Sequence, residues 1–130
     1  MTKQELKQYI HISRRIDLLE EESVVIRQRI MSATQALDIK VRGSKQHDKI
    51  GDTIVKLESH RELINELYDE LMIRRKRIEY AIEQLEPQQA LIIHLRYIKG
   101  LKWEQICVDM AFEWTHVHRL HSRALQALNE

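Results

Sequence analysis

The sequence predicts an all-α protein, a long antiparallel coiled-coil helical hairpin followed by three short helices. Three observations carry that prediction. Apolar residues recur at helical spacing along most of the chain, and no alternating, strand-like run appears. Only one Pro and three Gly interrupt 130 residues, so few points can end a helix. Charged residues make up 32% of the chain and aromatics 5%, the profile of an almost entirely helical protein.

The first helix is read from Tyr9, Ile12, Ile16, Leu19, Ser23, Ile26, Ile30, Ala33 and Leu37, which follow one another at alternating steps of three and four. That is a heptad stripe. The same alternation returns in Leu57, His60, Ile64, Leu67, Leu71, Arg74, Ile78, Ala81 and Leu85, giving a second long helix. His60 and Arg74 stand in the stripe with stems long enough to carry their polar ends outward. The polar run VRGSKQHDKIGD, with Gly43 and Gly51, is expected to be the connection. Each helix would be ~50 Å long at 1.5 Å per residue, and a short connection folds the pair antiparallel. Residues 1–85 therefore form the expected hairpin, and residues 86–130 a separate unit.

Apolar residues also stand off the stripe: Val24, Val25, Met31, Ile39 and Val41 in the first helix, and Ile54, Val55, Met72, Ile73 and Ile82 in the second. They make each apolar face broader than one partner helix covers. A second copy would cover them in a four-helix arrangement, so a homodimer is expected. The alternative is packing on the C-terminal unit of the same chain.

In the C-terminal unit, Pro87 suits a first helical turn, and Leu91, Leu95 and Ile98 repeat on one face until Gly100. Trp103, Ile106, Cys107 and Met110 define a second short helix. After a break at Ala111 to Glu113, a third carries Val117, Leu120, Ala124 and Leu128. Three short helices around one small core follow the helix-turn-helix plan. The runs LRYIKGLKWEQI and VHRLHSRAL resemble region four of bacterial sigma factors, over Leu85 to about Leu128. Behind a long charged hairpin in a chain this short, the layout is closer still to small sigma-like regulators of late genes in phages and prophages of Gram-positive bacteria. Lys102 and Glu113 depart from the Ser or Thr cap common in that family, and Ala111 from its turn Gly.

On a helical wheel, Val117, Leu120, His121, Ala124 and Leu128 share one face, which is expected to be buried. Thr115, Arg119, Ser122 and Gln126 point the other way, with His116, His118 and Arg123 on the flanks. Arg pairs bidentately with guanine and Gln with adenine, while Ser, Thr and His are more permissive. The resemblance implies that the first turns of this helix meet bases in double-stranded DNA, which selects Trp114, Thr115, His118, Arg119 and Ser122. Arg96, Lys99, Lys102 and Arg123 are the expected phosphate contacts. The resemblance adds RNA polymerase as a possible partner.

Charge argues against a unit that binds DNA alone. From Glu86 onward, five Lys or Arg (Arg96, Lys99, Lys102, Arg119, Arg123) meet five acids (Glu86, Glu104, Asp109, Glu113, Glu130), so the formal charge is zero. Phosphate neutralisation normally supplies most of the affinity, so a second contact through a dimer or polymerase is needed. His94, His116, His118 and His121 would add charge below pH ~6.5.

Other constellations are weaker. His116, His118, His121 and Cys107 do not share a face, and no metal site is expected. The run Arg74 to Arg77 has acids at Asp69, Glu70, Glu79 and Glu83 to pair with on a solvated face. Lys40, Arg42, Lys45 and Lys49 would give a basic hairpin tip. There is no phosphate loop, nucleophile elbow or paired-acid pattern, so neither enzymatic activity, a cofactor nor a small-molecule substrate is expected. The absence of a signal core or membrane span makes a cytoplasmic location the expectation. Three function classes remain: a DNA-binding transcription regulator of phage or prophage genes, a small terminase-like DNA-packaging subunit, and a protein-binding adaptor on a helix-turn-helix scaffold.

Overall fold

The computed structural model describes the backbone of residues 1–40 and 44–129, and the side chains of residues 1–35 and 49–129. Leu37, Ile39 and Val41, and the tip cations Lys40, Arg42 and Lys45, lie outside the described side chains. Among the described residues five α-helices follow in order: α1 Lys3–Lys40, α2 Ser44–Ile82, α3 Pro87–Ile93, α4 Trp103–Met110 and α5 Trp114–Asn129. A π-helical turn, His94–Ile98, prolongs α3. No strand occurs among the described residues, and none of their helices is long and apolar enough to cross a membrane.

The connection is shorter than expected. Ser44 already opens α2, and Gly51 lies within it. A Gly inside a helix costs about 1 kcal/mol, which an otherwise helix-compatible stretch can absorb. Composition marked this segment as polar, and a polar helix exposed to water has the same composition as a loop.

The chain divides into two compact units, Arg14–Asp69 and the discontinuous Met1–Ser13 with Glu70–Glu130. Within Arg14–Asp69, α1 and α2 run antiparallel, with Glu20 accepting from the Tyr68 hydroxyl at 3.0 Å and Glu22 meeting His60 Nε2 at 2.9 Å. Ile16, Ser23, Ile26 and Leu67 are buried, and Leu19, Ile30, Ala33, Leu57 and Ile64 half-buried. These are the stripe residues expected to face inward. Ser23 donates to the Leu19 carbonyl at 2.8 Å, which satisfies its hydroxyl within the helix. His60 bridges the Lys56 carbonyl and Glu22, so its place in the stripe is polar at both ring nitrogens.

In the other unit, α1 opens with a reciprocal cap. Thr2 N–H donates to Glu5 Oε2 at 2.6 Å and Glu5 N–H to Thr2 Oγ1 at 3.3 Å. Leu6, Tyr9, Leu71 and Ile78 are buried behind it. Arg74, another polar stripe residue, reaches Gln8 at 2.6 Å and Glu70 at 3.1 Å. The terminal ammonium of Met1 donates to the Leu128 carbonyl at 2.7 Å, at the end of α5. The first turns of α1 and the last of α2 thus belong to the same compact unit as the three short helices.

Candidate nucleic-acid interface

The core of the three-helix arrangement is Ile92, Leu95, Ile106, Val117 and Leu120, with Leu101, Trp103, Cys107, Met110 and Phe112 packed against it. One expected position is displaced: Leu91 is 45% exposed, while Ile92 and Ile93 are buried. The cause is the π turn that follows. Lys99 N–H bonds the His94 carbonyl five residues back, and this wider turn lets Leu95 and Tyr97 both face inward. A wheel with 3.6-residue turns cannot place that face. Gly100, at φ 70°, then ends the helix, and Leu101 N–H bonds the Leu95 carbonyl.

The turn between α4 and α5 aims the third helix. Ala111 takes the left-handed conformation, with φ 55° and ψ 40°. Its N–H bonds the Val108 carbonyl at 3.2 Å, and Phe112 N–H bonds Cys107 at 3.1 Å, the two bonds of a Schellman motif. Neither Glu86 nor Lys102, at the N-caps of α3 and α4, supplies a side-chain cap. Their helix starts depend on Pro87, on the acidic first turn at Glu104 and on tertiary packing.

α5 buries Val117, Leu120, His121, Ala124 and Leu128, the face expected from its wheel. Its opposite face presents Thr115, Arg119, Ser122 and Gln126 to solvent, and Arg123 is exposed beside them. Trp114 is 51% exposed at the first turn. His118 is half-buried between two indoles, with centroids 4.4 Å from Trp114 and 4.5 Å from Trp103, and its buried Nε2 has no hydrogen-bond partner among the described residues. Of the expected phosphate contacts, Lys99 and Lys102 are exposed. Arg96 is half-buried: it donates to the Leu101 carbonyl at 2.8 Å and lies over the Trp103 ring at 4.7 Å.

Sequence reasoning missed a buried polar pair beneath this surface. The Tyr97 hydroxyl lies 2.7 Å from His121 Nε2. Burial, with lesser contributions from Lys3, His118 and Arg96, pulls the His121 pKa down to about 4. His121 therefore stays neutral through the range in which free histidines charge, contrary to the expectation that all four histidines of the unit would add charge below pH ~6.5. Burial also pushes the Tyr97 phenol up. In the sequence Tyr97 is one residue of the LRY run with no spacing that marks a partner; the π turn faces it inward, toward His121.

The helix-turn-helix geometry has a counterpart among known families. Residues 75–128 match Sigma-70, region 4. A region 4 helix-turn-helix domain is thus present in the C-terminal part of the chain, and such domains bind DNA and RNA polymerase. The match begins inside α2, earlier than the motif-based start at Leu85, and residues 1–74 fall outside it. Neither the comparison with curated proteins nor that with solved structures returned a match.

Proposed function

We propose that the protein is a sequence-specific transcription regulator that reads the major groove of double-stranded DNA with α5 and self-associates through residues 1–85. The coincidence of the region 4 match with an α5 whose outer face offers Thr115, Arg119 and Ser122 supports this reading most directly. In it, Arg119 is the bidentate base contact, with Thr115, Ser122, Trp114 and the edge of His118 beside it. Lys99, Lys102 and Arg123 meet phosphates, and Arg96 does so with the N–H groups that Leu101 leaves free. Contact with RNA polymerase and control of phage or prophage genes in the cytoplasm extend the reading on the strength of the family resemblance. The neutral charge balance of residues 86–130 calls for the second contact that dimerisation or polymerase supplies.

The test is a gel-shift titration on duplexes enriched by the protein from a random pool, alongside the DNA upstream of its own gene. Arg119→Ala is expected to weaken binding to the preferred site by about 1 to 3 kcal/mol, while keeping the melting temperature of the parent. Equal affinity of parent and variant would remove Arg119 from the groove. Failure of the parent to enrich any duplex would transfer the scaffold to protein binding.

A further inference from the structure

Within Arg14–Asp69, one face of the antiparallel pair carries four large apolar side chains in solvent. Val24 and Met31 of α1 are 48% and 63% exposed; Ile54 and Tyr68 of α2 are 41% and 42% exposed. Val24 and Met31 are seven residues apart, which sets them on one stripe of α1, and Ile54 and Tyr68, at twice that spacing, share a stripe of α2. Between the helices on this side runs a groove of about 420 Å³, with Leu57 and Ile64 in its lining and Glu20 and Arg61 beside them.

We infer that this face is where two copies of the chain meet, about a two-fold axis running along the helices. The inference rests on the dimer reading above and names its surface. Charge identifies the occupant. Glu22 bonds His60 across the pair, so Glu20 and Arg61 stand at nearly the same height on opposite helices. A two-fold axis along the helices lays α1 of one copy over α2 of the other without changing height. Glu20 then faces the partner's Arg61 and Arg61 faces the partner's Glu20, while Val24 meets the height of the partner's Leu57. A second copy thus satisfies both rims of the groove at once, because an isologous contact uses each pair twice. On the side that carries Leu18 and Val25, the α2 cation in the lining is Lys56, four residues or about 6 Å along the axis from His60 at the height of Glu22, so the same operation does not bring it level with that acid.

Sedimentation equilibrium of the full chain at micromolar concentration tests the assignment. Glu20→Arg and Arg61→Glu are each expected to weaken self-association about tenfold or more, since one substitution places two like-charge pairs in the interface. The double variant restores it, which separates the ion pair from the lost Tyr68–Glu20 hydrogen bond. Val24→Asp gives a monomer with the parent's helical circular dichroism, and Val25→Asp on the other side leaves the dimer intact. A dimer indifferent to Val24→Asp and both reversals, or a double variant no better than either single, overturns this face and leaves the dimer reading standing. A monomeric parent, or a large ring, overturns both.

Discussion

Ala111 holds a backbone conformation that costs an L-residue roughly 1–2 kcal/mol and a glycine nothing. Ala111→Gly is therefore expected to raise stability by about 1 kcal/mol, after allowance for the greater freedom of glycine in the unfolded chain. A shifted urea midpoint at unchanged slope would show it; a lower midpoint would refute the strain. His121 makes the opposite kind of statement. Its folded pKa of about 4 lies below the ordinary 6.5, so above that ordinary value both states are neutral and stability is unaffected. As pH falls from 6.5 to 4 the unfolded chain takes up a proton that the native ring refuses, and stability drops by as much as about 3 kcal/mol before levelling off. His121→Asn, compared with the parent by urea titration at pH 7 and pH 4.5, should flatten that slope. An equally steep loss in the variant would place the acid sensitivity elsewhere.

The helices themselves were legible to different degrees. α5 was read almost completely, because its five buried positions obey one helical period and nothing interrupts it. The stripes of α1 and α2 were legible for the same reason. The inward face of α3 was not, since a turn with five-residue hydrogen bonds has no signature in the spacing of Leu91, Leu95 and Ile98. Leu6 escaped too: it precedes the heptad run, yet it is fully buried. The Thr2-to-Glu5 spacing that caps α1 was the available signal for where this helix begins. Leu6→Ala should cost about 2–5 kcal/mol, the range for emptying a closed apolar site. Thermal unfolding checks it, and a melting temperature within a degree of the parent's would mean that the first turn of α1 contributes no core. Of the candidate interface, the exposed side of α5 was legible from its wheel. The clamping of His118 and the commitment of Arg96 were not, because both depend on where Trp103 lands.

For the whole chain, the compact unit holding the helix-turn-helix takes in Met1–Ser13 and the last turns of α2, and the region 4 match also reaches back into α2. Residues 86–130 expressed alone are therefore expected to show weak helical circular dichroism and no cooperative melt, whereas the full chain shows both. A sharp transition in the fragment would establish it as autonomous. The hydrogen bond from Met1 to Leu128 also bears on synthesis. A ribosome makes the first turns of α1 long before α5 leaves the exit tunnel, so those turns meet the last turns of α2 first and α5 only afterwards. The helix-turn-helix unit then closes only after α5 has emerged, and until it does, Leu6, Tyr9 and Ile78 remain open to chaperones.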